Sequence, residues 1–269
     1  MIEAQDLVLE YVSGKRQIRA LDGVSLRIAA GDRLGIVGES GSGKSTFGAA
    51  LGRLLPPSAH QTGALRVDGV DVFEADRDRI RELRQNTMAF IPQDPVSSLD
   101  PTKRIGKQLA LATGVRDRTA QTEMLDRVKI RQPAEVLRRY PFEISGGMAQ
   151  RVVIAIAMAR RPRILVADEP TASLDSLVRD EVLALMFATA DELSATLVWL
   201  SHDLAAVRRW CGRVAVMHRG RVVEEGPAAD VLDDPQHEYT QELVASDPRN
   251  RRATAGGPEP EHARKEPVR

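Results

Sequence analysis

The sequence predicts an α/β layered fold with an antiparallel β region near its N-terminus and a run of helices inserted in its middle. Three observations carry this. "RILVADEP" and "ATLVWLSHD" are short apolar runs of the kind that forms buried parallel strands, and helical patterns separate them. "GALRVDGVDV" reads as a hairpin turning at Asp68-Gly69, the mark of antiparallel pairing. From about Ser97 to Arg160 the pattern is mostly helical.

In chain order, "LVLEYV" reads as a strand, and "LDGVSLRIAAGDRLGIVG" as two extended segments parted by the turn signal Ala-Gly-Asp. "KSTFGAALGRLL" has helical spacing and is expected to stop at Pro56 and Pro57. After the hairpin, the helical stretch and the two apolar strands, "RVAVMHRGRVVEEG" closes as a second hairpin. From about Arg249 onward the chain is rich in proline, glycine and charge and lacks aromatic residues, so disorder is expected there. No internal repeat is visible, so one such domain is expected, not two in tandem.

With 42% hydrophobic residues among 269, the chain can bury a substantial core. Basic and acidic residues number 38 each, so no net field attracts nucleic acid or anionic lipid, and no nucleic-acid partner is expected. The one cysteine, Cys211, excludes an internal disulfide framework and fits a reducing compartment such as the cytoplasm; it reads as a small buried hydrophobe before a reactive thiol. No run of about 18 apolar residues occurs, and the first residues have charges spaced through them where a signal peptide would be apolar. The chain is expected to be soluble by itself and to meet a membrane only through a partner.

"GESGSGKST" fits the P-loop pattern G-x-x-x-x-G-K-[ST], lying after a predicted strand and before a predicted helix. The cradle runs through Gly38, Glu39, Ser40, Gly41, Ser42, Gly43, Lys44, Ser45 and Thr46. Its glycines let backbone N–H groups wrap phosphates, Lys44 reaches the β- and γ-phosphates, and the Ser45 hydroxyl can ligate Mg²⁺. In "RILVADEP" the apolar residues bury a strand and put Asp168 at its carboxyl end, where open α/β sheets gather ligands. Asp168 suits Mg²⁺, through water, and Glu169 suits a general base acting on the attacking water. Either acid alone would be an ordinary strand-end carboxylate; the P-loop gives the pair its meaning. "ISGGMAQR" is a second anion cradle, with Ser145, Gly146 and Gly147 at a helix start.

These stretches, with "ASLD" and "LSHD", occur in the order and approximate spacing of the ATP-binding cassette family, which the chain resembles from residue 1 to about 245. The resemblance implies a P-loop NTPase (RecA-like) core with an N-terminal antiparallel β subdomain and an inserted α-helical subdomain at about 97–160. It also implies a short C-terminal extension from about 226, before the tail over 246–269 whose composition predicts disorder. It implies an ATPase using ATP and Mg²⁺, in which Gln93 senses the γ-phosphate and the metal and His202 contacts the γ-phosphate. His202 alone would read as capping a strand end or helix start; following "ATLVWL", it stands where a γ-phosphate contact is geometrically possible. Tyr11 matches the position where the family stacks a ring on adenine, though a tyrosine in an edge strand is common. Ser173 to Asp175 match a loop that crosses to a facing subunit. Ser145, Gly146 and Gly147 would then complete the site of a second, facing cassette, identical or related. Met148 departs from the usual glutamine of the signature, which removes one side-chain amide and leaves the backbone donors.

"QDPVSSLDP", residues 93–101, and "GPAADVLDDPQHEYTQELVAS" resemble the dipeptide, oligopeptide and nickel importer branch, with Glu238 in place of the usual proline. That branch implies two transmembrane permease subunits, indirectly an extracytoplasmic solute-binding protein, and a peripheral location on the cytoplasmic face of the cell membrane. A coupling helix of the permease would meet the segment after Gln93, with Arg104 and Lys107 as candidate contacts; both also read as a solvated helix face. With Cys211 the one cysteine, no iron–sulfur cluster is expected in the extension. The alternative is an ATPase adaptor of a soluble enzyme complex, as in phosphonate degradation. Chromosome or repair ATPases of the superfamily would need a long coiled-coil insertion between P-loop and signature, which the sequence does not contain.

Overall fold

The computed structural model describes residues 1–13, 16–171, 174 and 176–247, and the expected disordered tail lies outside them from residue 248. Among the described residues two sheets are stacked. The smaller one is antiparallel, in the order β2 (Arg16–Ile28), β1 (Ile2–Ser13), β4 (Ala59–Val67), β5 (Val70–Asp71). Its β4–β5 turn is the Asp68-Gly69 pair, both with positive φ (50° and 80°), as a tight two-residue hairpin requires.

The larger sheet has the order β10 (Arg221–Pro227), β9 (Arg213–His218), β3 (Arg33–Val37), β8 (Thr196–Ser201), β7 (Ile164–Asp168), β6 (Met88–Ile91). It is parallel from β9 to β6, and β10 is antiparallel at one edge. Burial on both faces explains why β7 and β8 read as unbroken apolar runs. Thus the two strands flanking Ala-Gly-Asp, β2 and β3, belong to different sheets, and the turn is where the chain changes layer.

Two apolar cores result. One lies between the sheets and holds Leu7, Leu21, Leu34, Ile36, Val166 and Leu200 around α1 (Lys44–Leu51). The other, on the opposite face, joins Leu165, Leu197 and Trp199 to α6 (Gly146–Met158), α7 (Ser176–Glu192) and α8 (Leu204–Trp210). The helices α3 (Ile105–Thr113), α4 (Arg118–Arg127), α5 (Pro133–Val136) and α9 (Ala228–Asp233) share that second core through Leu109, Leu125, Val136 and Val231, and α2 (Arg77–Glu82) joins the first through Ile80. The helical stretch is therefore packed into the core beneath the sheet, and α6 has no separate core of its own.

Two local expectations are corrected. The helix after the P-loop stops at Leu51, before the prolines, because Gly52 caps it and Arg53 turns left-handed (φ 52°). A Cβ at Gly52 would stand 2.7 Å from the Phe90 ring of β6, so only glycine fits at this cap. Residues 97–104 are also not helical. There Asp100 accepts from Thr102 N (2.8 Å) and Thr102 Oγ1 (2.6 Å) and pairs with Lys103, and this turn precedes α3.

Close packing of the central strand yields a stability prediction. At Gly35, in β3, an added Cβ would collide with Val207 Cγ1 of α8 and lie 3.3 Å from Cys211 Sγ. Gly35→Ala should cost about 1–3 kcal/mol, read as a lowered thermal midpoint without nucleotide. Cys211 itself is buried, and burial pushes its thiol up to about 12, in accord with a packing role.

Candidate active site

At the carboxyl end of β3 the chain enters the phosphate loop. Gly38 (φ 150°) and Gly43 (φ 107°) take conformations closed to other residues, and a Cβ at Gly43 would lie 2.6 Å from the Ala20 carbonyl. The loop then becomes the N-terminus of α1, so its N–H groups point into the cleft. Lys44 is 6% exposed, and its ammonium donates to Gly38 O (2.8 Å) and Glu39 O (2.9 Å). Burial lowers its pKa, opposed by the carboxylates of Glu169, Asp168 and Glu39. A poorly hydrated cation held by neutral carbonyls favours an arriving phosphate. The loop is fixed from the β9–β10 turn, where Gly220 N donates to Ser42 O (2.9 Å) and Gly220 O accepts from Asp22 N (2.9 Å).

Opposite the loop, β7 delivers Asp168 and Glu169. Ser45 Oγ donates to Asp168 Oδ1 at 3.1 Å. Burial raises the pKa of Asp168, the Ser45 hydrogen bond lowers it, the Glu169 charge adds to the rise and Lys44 opposes it. This hydroxyl and carboxylate are hard oxygen donors meeting at one point, which fits a Mg²⁺ ion whose remaining ligands come from phosphate and water.

Glu169 leaves the strand with φ 43°, in the left-handed region unusual for such a side chain, and its N–H is tied to Leu200 O (2.9 Å). That turn separates the two acids: Asp168 faces Ser45, while Glu169 is held from both sides. Gln93 Nε2 donates to Glu169 Oε2 (3.3 Å), and His202 Nδ1 lies 3.1 Å from Oε1. Gln93, expected to sense the γ-phosphate and the metal, here holds Glu169. His202 follows β8, which lies parallel to β7. The capping task at this corner belongs to Asp203, which accepts from Ala206 N (3.0 Å) at the start of α8. The His202 side chain is 65% exposed and faces the cleft.

The cleft, about 470 Å³, is lined by Tyr11, Lys44, Ser45, Gln93, Glu169 and His202, among others. Tyr11 stands at its outer edge, half-buried, with its hydroxyl 3.5 Å from Thr46 Oγ1. Ile18, Arg19 and Ala20 of β2 also line it; sequence reading missed them because no motif marks strand residues that a neighbouring sheet brings over the loop.

Ser145, Gly146 and Gly147 do not line this cleft. Ser145 caps α6, its Oγ accepting from Met148 N (3.3 Å), and both Ser145 and Gly146 are exposed. A Cβ on Gly146 would meet nothing within 4 Å, whereas one on Gly147 would stand 2.9 Å from Val178 Cγ1. One glycine leaves the helix end open and the other lets α7 approach. Met148 packs against the core, so at this signature position the side chain is a packing group. Of the expected crossing loop, Ser173 and Asp175 lie outside the described residues.

The family model described as "ABC transporter" matches residues 21–172. A probable peptide ABC transporter ATP-binding protein, y4tR of Sinorhizobium fredii, is 38% identical over 94% of this chain and 78% of its own length. The oligopeptide transport ATP-binding protein OppD of Bacillus subtilis is 35% identical over 92% of this chain and 72% of its own. The probable D,D-dipeptide transport ATP-binding protein DdpD of Escherichia coli is 38% identical over 92% and 78%. Among solved structures, a dimeric post-hydrolysis ATP-binding cassette, MJ0796 bound to ADP and Pi, superposes with a TM-score of 0.74 at 28% identity, covering 85% of this chain and 99% of that one.

Proposed function

Because the chain belongs to the ABC transporter family and is an ATPase of that type, we propose that it powers a peptide importer, as a peripheral subunit on the cytoplasmic face of the membrane. The observation that carries the catalytic part is the arrangement of Glu169, held between Gln93 and His202 across the cleft from Lys44, Ser45 and Asp168. No helix among the described residues is long and apolar enough to cross a membrane, and transmembrane permease subunits are the partners in this reading.

ATP binds with its phosphates along the loop N–H groups and Lys44, and with its adenine against Tyr11. Ser45 and Asp168 would hold Mg²⁺, which would supply Lewis-acid stabilisation of the phosphate charge. Glu169 takes a proton from the attacking water; Gln93 and His202 fix its carboxylate and reach toward the γ-phosphate. Ser145 and the N–H groups of Gly146 and Gly147 donate to the γ-phosphate held by a second cassette, of this sequence or a related one. The hydrolytic donor set is then complete only when two cassettes close on each other.

A groove of about 520 Å³ supports the permease contact. It is lined by Phe90, Pro92, Leu99, Ala112 and Ile156, with Arg84 and Arg160 on its rim, and it lies beside the segment after Gln93. An amphipathic coupling helix fits such a surface. Arg104 and Lys107 do not line it; Arg104 instead lies over the Tyr140 ring, 5.5 Å from its centroid. Placing a charge in the groove with Ala112→Glu should lower recovery of permease subunits from solubilised membranes by about tenfold or more, with ATP still bound by the soluble chain. Recovery with a soluble enzyme and no membrane protein would favour the adaptor reading instead.

A further inference from the structure

The C-terminal helix α10 (Glu238–Ser246) meets the phosphate loop through Tyr239, and that contact has no part in the catalytic scheme above. Tyr239 Oη accepts a hydrogen bond from the Glu39 N–H at 3.0 Å, across 200 residues of sequence. The Glu39 N–H and the Gly38 carbonyl belong to one planar trans peptide group and point in opposite directions. On the far edge of this group, Gly38 O accepts from the Lys44 ammonium at 2.8 Å. The bond to tyrosine therefore sets the angle at which the carbonyl meets Lys44. A fixed partner matters here, because Gly38 at φ 150° has no side chain to keep the peptide plane from rotating.

The tyrosine is itself held firmly. Glu224 of β10 accepts from the N–H groups of Gln236 (2.9 Å) and His237 (3.1 Å), which pins the start of α10, and His237 Nδ1 accepts from Tyr239 N (3.1 Å). The Tyr239 ring packs on His218 with centroids 3.8 Å apart, and His218 Nδ1 stands 3.2 Å from Glu39 Oε1. Burial raises the phenol pKa, so the hydroxyl stays neutral at working pH. Residue 39 is thus braced by α10 at its backbone and by β9 at its side chain.

We propose that Tyr239 is a positioning residue for Lys44, acting through the Gly38–Glu39 peptide to hold the ammonium where it receives phosphate. This rests on the reading of the loop as the ATP site. The test uses the full chain in a Glu169→Gln background, with ATP and Mg²⁺ as the probe and affinity read from the nucleotide-dependent rise of the unfolding midpoint. Tyr239→Phe keeps the ring on His218 and removes only the hydroxyl. It should weaken ATP about three- to tenfold, comparable to the worth of one hydrogen bond, beyond the small lowering of the nucleotide-free midpoint that loss of the same bond causes. Lys44→Ala should weaken ATP further, and adding Tyr239→Phe to it should cause no additional loss. Undiminished affinity in Tyr239→Phe, or equal losses from it with and without Lys44, would overturn the proposal. Full affinity in Lys44→Ala would instead remove the nucleotide reading of the loop.

Discussion

Replacing Glu169 by Gln should lower steady-state ATP hydrolysis by about 10²–10⁴-fold, the range a positioned general base contributes, while ATP remains bound. The substitution preserves shape, and an amide can still be held between Gln93 and His202, which lie 3.3 and 3.1 Å from the two carboxylate oxygens. What is lost is the capacity to take a proton. Glu169 also occupies a left-handed backbone position whose N–H is tied to Leu200 O, so an isosteric change leaves that turn in place. The assay is phosphate release beside equilibrium ATP binding on the same preparation. Hydrolysis at the wild-type rate would remove Glu169 from the mechanism.

Ser145→Arg should be nearly as damaging, by a different route. Ser145 is exposed at the open end of α6, so an arginine there reaches into solvent, and losing the cap its hydroxyl makes to Met148 N costs the chain only about 1 kcal/mol of stability. The γ-phosphate donors of a facing site would nevertheless be obstructed. Losing such donors costs about 10²–10³-fold in rate, and since Ser145 lines no part of the Tyr11–His202 cleft, ATP affinity of the single chain should be unchanged. A variant that loses ATP affinity in proportion to rate would mean that Ser145 serves its own chain's cleft.

Much of this site was legible because its parts are short and contiguous. A P-loop has to place glycines, lysine and serine within a few residues, and the apolar run before Asp168 fixes a strand end. Both are local requirements that sequence displays directly. The approach of Ser45 to Asp168 and of His202 to Glu169 follows once β3, β7 and β8 are parallel neighbours. The hidden features depend on distant contacts. Phe90, 38 residues away, requires the glycine that caps α1, because its ring stands where a Gly52 side chain would begin. The left-handed turn at Glu169 has no compositional mark, and with it Glu169 meets Gln93 and His202 while Asp168 faces Ser45. Arg104 and Lys107 have the charge of an interface but sit off the groove, whose lining comes from β6, α3 and α6 together. Tyr239 lies in a stretch that reads only as a branch marker until the fold brings it to Glu39.

The central claim is that each hydrolytic site is shared between two cassettes, with ATP between them. Its most direct test is the solution mass of the Glu169→Gln chain, measured by light scattering with ADP and then with saturating ATP and Mg²⁺. The account predicts a mass near the single-chain 29.5 kDa with ADP and a doubling with ATP, or, where the facing cassette is a related chain, the same ATP-dependent step on adding that chain. A mass that stays at one chain with every site filled, together with a single cassette in the transporter purified from membranes, would contradict it.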